Sequence, residues 1–335
     1  MCITAVLALC LISACKGGDS SLSGQTETFS LSLILGDNSD WYRGAFRFAE
    51  LVEERSGGRY RIAIYPHAQL AGQSQRTELE MLQSGVIDFS IESPILLSLV
   101  EERMGIFSLP WLFDTYDEAF KVLDGPLGRE MLGLLPQKRI VGLAYGVNGF
   151  RQLTNSRNPV NKPEDISGMK VRVPGIRMYI EIFRLLGADP SSMNFGELFT
   201  ALAQGTMDGQ ENPLSVIYSA RLYEVQSYLT LWNYSYDPII LCVNEGLWTN
   251  FTDEQRVLFS SCARDAMLYQ RKLVSTREAA LSDSLEQRGM VVSDLTQSAR
   301  QHFRELTSPI YSTYDKLYGG GLIGRFTDET EVFDD

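Results

Sequence analysis

Motifs that carry chemistry are scarce in this chain. It has 2 histidines, His67 and His302, far apart in sequence and outside any nucleophile or metal-ligand pattern. There is no phosphate-cradling GxxxxGK[ST] loop, no C-x-x-C, no H-E-x-x-H and no internal repeat. The stretch GGGLIG, Gly319 to Gly324, has the formal G-x-G-x-x-G spacing, but it follows a helical pattern and no helix-strand unit comes after it. A dinucleotide fingerprint needs a strand before it and a βαβ unit around it, so this stretch is not one. Glu92 and Asp208 are the plausible acid-base groups, and neither has a nucleophile or metal motif to work with. No catalytic residue, metal or cofactor is expected.

Positive charge is also in deficit: 30 Lys and Arg stand against 42 Asp and Glu, a net charge of -12. A nucleic-acid partner would want a basic stripe, so that class is set aside. An anionic ligand would have to be drawn in by local charge, for which Arg172 and Arg151 are the candidates. Long apolar runs are missing except for ITAVLALCLISA near the start, too short for a membrane span in the mature chain but suited to a signal-peptide core over residues 1–14. It ends in I-S-A-C, which looks like a lipobox with Cys15 as the lipidated residue, followed by a Gly/Ser/Asp-rich tether to residue 28. A plain secretory cleavage is the competing reading, and no Lys or Arg precedes the run. Either way the chain is expected outside the cytoplasm; the lipobox reading makes it periplasmic and lipid-anchored. Cys242 lies in an apolar strand-like run and Cys262 in a helical pattern, so both are expected to be buried free thiols.

What is present is a regular α/β pattern. At 335 residues the chain exceeds a usual single domain, and two are expected. A strand from Phe29 closes in the turn cluster GDNSD; Ala45, Phe48, Ala49 and Val52 then share one helix face, up to Gly57 and Gly58. A strand through Tyr60, Ile62 and Ile64, a helix through Leu79 and Leu82, and the buried strand VIDFSI complete a doubly wound pattern, which binds ligands beyond the carboxyl ends of its strands. Further on, GMKVRVPG sets Arg172 between Val171 and Val173 in a short strand stopped by Pro174. A guanidinium in such a dry setting needs an anion, and its fork suits a carboxylate. The competing reading is an Arg paired to an acid of the protein itself.

The segments LLGADPSSMNF and ELFTALAQGTMDGQENP follow this strand, and FSLPWLF and YGVNGFRQLTN precede it. Together, from about Phe29 to about Val292, the series resembles the solute-binding proteins of TRAP (tripartite ATP-independent periplasmic) transporters. The resemblance implies a two-lobed α/β binding fold with a cleft between lobes and a long hinge helix after Asp253. It divides the chain into 29–149 plus 238–277 as domain I and 150–237 plus 278–335 as domain II; the glycine-rich acidic tail after Tyr318 is expected to fray at its end. It also implies that Arg172 clamps a substrate carboxylate, that Arg151 reaches the ligand or supports the clamp, that Asn212 partners the carboxylate or a hydroxyl, and that Phe195 packs on the ligand. Glu92 matches a position that faces the sugar in sialic-acid-binding relatives, and Trp232 stands near the return crossing where cleft walls meet.

Two features depart from those relatives: Pro94, Ile95, Leu96 and Leu97 follow the Glu-Ser pair, and Ile176 and Met178 follow the clamp. They point to an acid with a hydrophobic body. The implied partners are small and large membrane permease subunits driven by an ion gradient and, in some systems, a periplasmic helical-repeat accessory protein. A ligand-sensing receptor or scaffold on the same fold is the alternative role.

Overall fold

A computed structural model describes residues 26–331 of the chain; the signal run, Cys15 and the last four residues lie outside them. Among the described residues ten strands form one connected, branched sheet: β1 (Glu27–Ser32), β2 (Tyr60–Tyr65), β3 (Phe89–Glu92), β4 (Ile140–Asn155), β5 (Lys170–Val173), β6 (Asp189–Ser192), β7 (Gly209–Pro213), β8 (Tyr228–Leu231), β9 (Tyr236–Asn244) and β10 (Val291–Asp294). Their spatial order is β2-β1-β3-β9-β4-β7-β5-β6, with β8 joining β4 to β10. The pairs β1/β2 and β1/β3 are parallel in lobe I, as are β5/β6 and β5/β7 in lobe II, each built by helical crossovers.

The lobes are joined by β4. Its Ile140–Phe150 half pairs antiparallel with β9 in lobe I, and its Arg151–Asn155 half pairs with β7 in lobe II. Register shifts after Gly142 and Val147 bend it on the way. Gly149 sits at the second of these, with φ +129° and the Pro213 ring and the Tyr116 hydroxyl where a Cβ would press.

The helix Asp253–Gln287 spans both lobes, 35 residues and roughly 50 Å at 1.5 Å per residue. A Thr252/Gln255 capping box starts it. Its first half buries Phe259, Cys262, Ala263, Ala266 and Met267 in the lobe I core, and its second half buries Leu281 and Leu285 against Leu198, Leu202 and Ile217 of lobe II. Where it passes β4, Gln270 accepts from Val147 N at 2.8 Å and donates to Val147 O at 2.6 Å, closing the ladder at the bend.

After the glycines of the tail comes helix Leu322–Glu331; the last residues, expected to fray, lie outside the described residues. Phe326 packs edge-on to Phe107 at 5.7 Å and Arg325 pairs with Glu130, so this helix contacts lobe I. Cys242 and Cys262 are free and buried, as expected.

Candidate functional site

Between the lobes lies a cavity of about 40 Å³, room for roughly three waters. Lobe I contributes the segment after β1 (Ile34, Leu35), Trp41, Gln75, and the segment after β3 (Ser93, Ile95, Leu96). Lobe II contributes Arg172 and Pro174 from the end of β5, Phe195, Asn212 from β7 and Val216, while Asn148, Arg151 and Asp237 come from the crossing strands. This is the crevice beyond strand ends that a doubly wound sheet provides. The cavity shares Arg172, Pro174, Gln75 and Leu96 with an outer groove of about 390 Å³ on one side. It shares Ile34, Leu35 and Phe195 with one of about 300 Å³ on the other.

Arg172 is 2% exposed. Its Nε and Nη2 both donate to the carbonyl of Met193, at 3.0 and 2.6 Å, and its Nη1 has no acceptor among the described residues. No carboxylate among those residues forms an ion pair with it. Burial lowers its guanidinium to about 10, partly offset by the charge of Glu211. The reading in which a protein acid pairs with Arg172 is therefore set aside.

Arg151 is the opposite case. It would pass for a surface arginine in sequence, yet it is buried and fully engaged. Glu211 takes its Nε and, at 2.8 Å, its Nη2; Asp237 takes Nη1 at 2.9 Å; Asn212 Oδ1 accepts from Nη2 at 3.1 Å. The Tyr179 ring lies 5.6 Å from its guanidinium carbon, and Tyr234 donates to Glu211 at 2.6 Å. Arg151 thus holds the Glu211 and Asn212 strand in place beside Arg172. Asn212 spends its Nδ2 on Gln210 Oε1 at 2.5 Å. Phe195, in the first turn of helix Phe195–Ala203, is half-buried at the cavity's other end.

Two expected residues lie elsewhere. Glu92 does not line the cavity: it is buried beside Glu78, its Oε1 without a partner among the described residues. Burial first, and the Glu78 charge second, push its carboxyl well above the usual range, and burial raises Glu78 to about 7. The next residue, Ser93, faces the cavity instead, as strand alternation requires. Trp232 is a core residue, packed on Tyr234 at 4.7 Å, Phe303 at 5.5 Å and Phe183 at 6.0 Å. Ile176 and Met178 line a separate surface groove with Tyr314 and Tyr318.

Sequence reasoning missed a chain of polar groups along the wall. Trp41 Nε1 donates to Asn148 Oδ1 at 2.9 Å, Asn148 Nδ2 donates to Asp237 Oδ2 at 2.7 Å, and Ser93 donates to Asp237 Oδ1 at 2.6 Å. Asp237 alone carried a signal, as an acid inside the apolar run of β9. Burial raises its carboxyl, against the pull of Arg151 and the Ser93 and Asn148 bonds.

Comparison with known proteins matches this architecture. The model of "Bacterial extracellular solute-binding protein, family 7" fits residues 31–317, and the chain belongs to that family. It is 32% identical over 281 residues to the 2,3-diketo-L-gulonate-binding periplasmic protein of Escherichia coli (strain K12), covering 84% of each chain. A TRAP periplasmic solute-binding protein from Ralstonia eutropha H16, solved with bound (S)-2-acetolactate, superposes with a TM-score of 0.88 at 35% identity, covering 91% of this chain and 98% of that one. Another from Sulfurospirillum deleyianum DSM 6946, solved with succinate, gives 0.86 at 27% identity, covering 90% and 99%. This is a transporter substrate-binding family, not an enzyme family; its members bind small organic acids outside the cytoplasm and work with TRAP permeases. Among the described residues no helix is long and apolar enough to cross a membrane.

Proposed function

We propose that this chain holds a short organic acid between its lobes, with the carboxylate on Arg172 and the body against apolar walls, and delivers it to TRAP permease subunits. The observation that carries this reading is the state of Arg172, a buried guanidinium facing the cavity with Nη1 unused. Such a cation is stable only with an anion supplied, and a carboxylate matches its fork. Arg151, occupied by Glu211 and Asp237, supports the clamp, and Asn212 and Phe195 border the ligand.

The hydrophobic-body expectation rests on only some of the residues first singled out, since Ile176 and Met178 line a separate groove. Ile95 and Leu96 do line the cavity, joined by Ile34, Leu35, Val216 and Phe195. Each methylene buried there adds about 0.8 kcal/mol. A volume equal to about three waters, roughly 90 Å³ of liquid, suits an acid of a few carbons, in keeping with the acetolactate of the Ralstonia protein. Closure of the lobes about β4, β9 and the long helix completes the site, because only then do both walls touch the ligand. Cys15 would tether the protein to the membrane through lipid.

Native mass spectrometry of the protein as purified tests the reading. A retained small acid, released unchanged, is the expected result; a retained molecule without an acid group overturns it.

A further inference from the structure

We propose that the buried carboxylates Glu211 and Asp237 restrict this cavity to monoanions, so that its substrate is a monocarboxylate and dicarboxylates are rejected on charge. The inference rests on the reading of Arg172 as the carboxylate clamp. Among the described residues, Arg151 and Arg172 are the only cations that line the cavity, and no Lys or His joins them. Arg151 is already bound by two carboxylates, both buried: Glu211 is 0% and Asp237 2% exposed. With both acids ionised, the two arginines and two acids cancel.

A monoanion on Arg172 adds one negative charge, held directly by the guanidinium. A dianion adds a second at the far end of the cavity, where Ile34, Leu35 and Phe195 form the wall and the cavity itself offers no further cation; His67 and Arg221 line only the outer groove beyond that wall, and Arg221 is paired with Glu224 there. A carboxylate taken from water into that setting unpaired is strongly disfavoured. Most of the polar groups within reach are already engaged: Asn148 and Ser93 both donate to Asp237, Trp41 donates to Asn148 and Asn212 donates to Gln210. Gln75 also lines the cavity, but its neutral amide cannot offset a full negative charge. Asp237 is therefore a specificity-determining residue that acts through Arg151 and through the cavity's charge.

The test is calorimetric titration of the parent protein at pH 8 with two sets of acids of four to six carbons. The first holds monoanions: 2-acetolactate, pantoate, 2-oxoisovalerate and succinamate. The second holds the dianions succinate, malate and glutarate. Succinamate and succinate share one skeleton and differ by one charge. The tightest ligand should be a monoanion, and succinamate should bind at least about 10-fold tighter than succinate, a gap that narrows at pH 5 as succinate takes up its first proton. In Asp237→Asn, checked for folding by circular dichroism, the dianion-to-monoanion affinity ratio should rise at least about 10-fold. A dicarboxylate as the tightest ligand, or succinate equal to succinamate at pH 8, overturns the charge rule and leaves the clamp standing. Binding by none of these acids removes the carboxylate reading and this inference with it.

Discussion

Arg172 places two of its donors on a single acceptor, the carbonyl of Met193, at 3.0 and 2.6 Å. That carbonyl fixes the plane of the guanidinium without neutralising it. Arg151, on the neighbouring wall, is both fixed and neutralised, by Glu211 and Asp237. On the proposed reading, two buried arginines in one cavity have separate tasks: one keeps its charge for an incoming anion and the other holds the wall.

The division predicts opposite phenotypes. Arg151→Met leaves Glu211 and Asp237 buried without their cation, and removing one partner of a buried pair costs about 3–5 kcal/mol. Chemical denaturation should show that loss, with the midpoint falling clearly below the parent's. A variant as stable as the parent would mean that the Arg151 network is not structural.

The bend of β4 depends on Gln270. In Gln270→Leu the amide and carbonyl of Val147 lose their partner, at about 1–3 kcal/mol for each buried group left unpaired. Gly146→Ala should destabilise independently, because its Cβ would stand 2.8 Å from Gln270 Oε1 and 2.8 Å from Ile239 Cγ1. Thermal melts of both variants check this; parent-like melting temperatures would show that the long helix is free to move away from the strand.

Glu78 and Glu92 give stability a pH dependence. Burial raises Glu78 from 4.5 to about 7 and Glu92 well above its ordinary value. Between the unfolded and folded values the native state binds a proton that the unfolded chain has released. The Glu78 stabilisation is complete below about pH 4.5 and is lost as pH rises through 7, at up to about 1.4 kcal/mol per pH unit for its proton, and Glu92 acts in the same direction. Urea unfolding at pH 5 and pH 8 should therefore show a larger drop in the parent than in Glu78→Gln. Equal slopes would place the titration elsewhere.

Lipid attachment at Cys15 predicts that the parent, expressed in a bacterium, enters the detergent phase of a phase partition and that Cys15→Ser does not. Stable anchoring takes more than one acyl chain, so the contrast should be complete. The parent in the aqueous phase would count against the lipobox.

The fold was legible in the sequence wherever periodicity and punctuation agree, as in the first three strands and the helices between them. The exception was β4, whose full length periodicity does not show. Its Gly142, Gly146 and Gly149 look like turn signals, but they serve close packing and bulges within one 16-residue strand. Arg172 was legible because a cation between valines, stopped by proline, has few explanations. Glu92 was misplaced by one residue: the strand end is at the cleft, but Ser93 faces it and Glu92 does not. The pairing of Asp237 and Glu211 with Arg151 was not legible, because Arg151 is 86 and 60 residues away and only the folded sheet brings them together; Asp237 showed itself only as an acid in an apolar run.

Calorimetric titration of Arg172→Ala, with the acid that the parent binds best, tests the central claim most directly. Charge-assisted hydrogen bonds contribute about 1.5–3 kcal/mol each, so affinity should fall at least about 10-fold while the melting temperature stays near the parent's. Arg172→Lys should recover little, because an ammonium cannot reproduce the guanidinium fork. An alanine variant that binds the same acid with parent-like affinity would contradict the account.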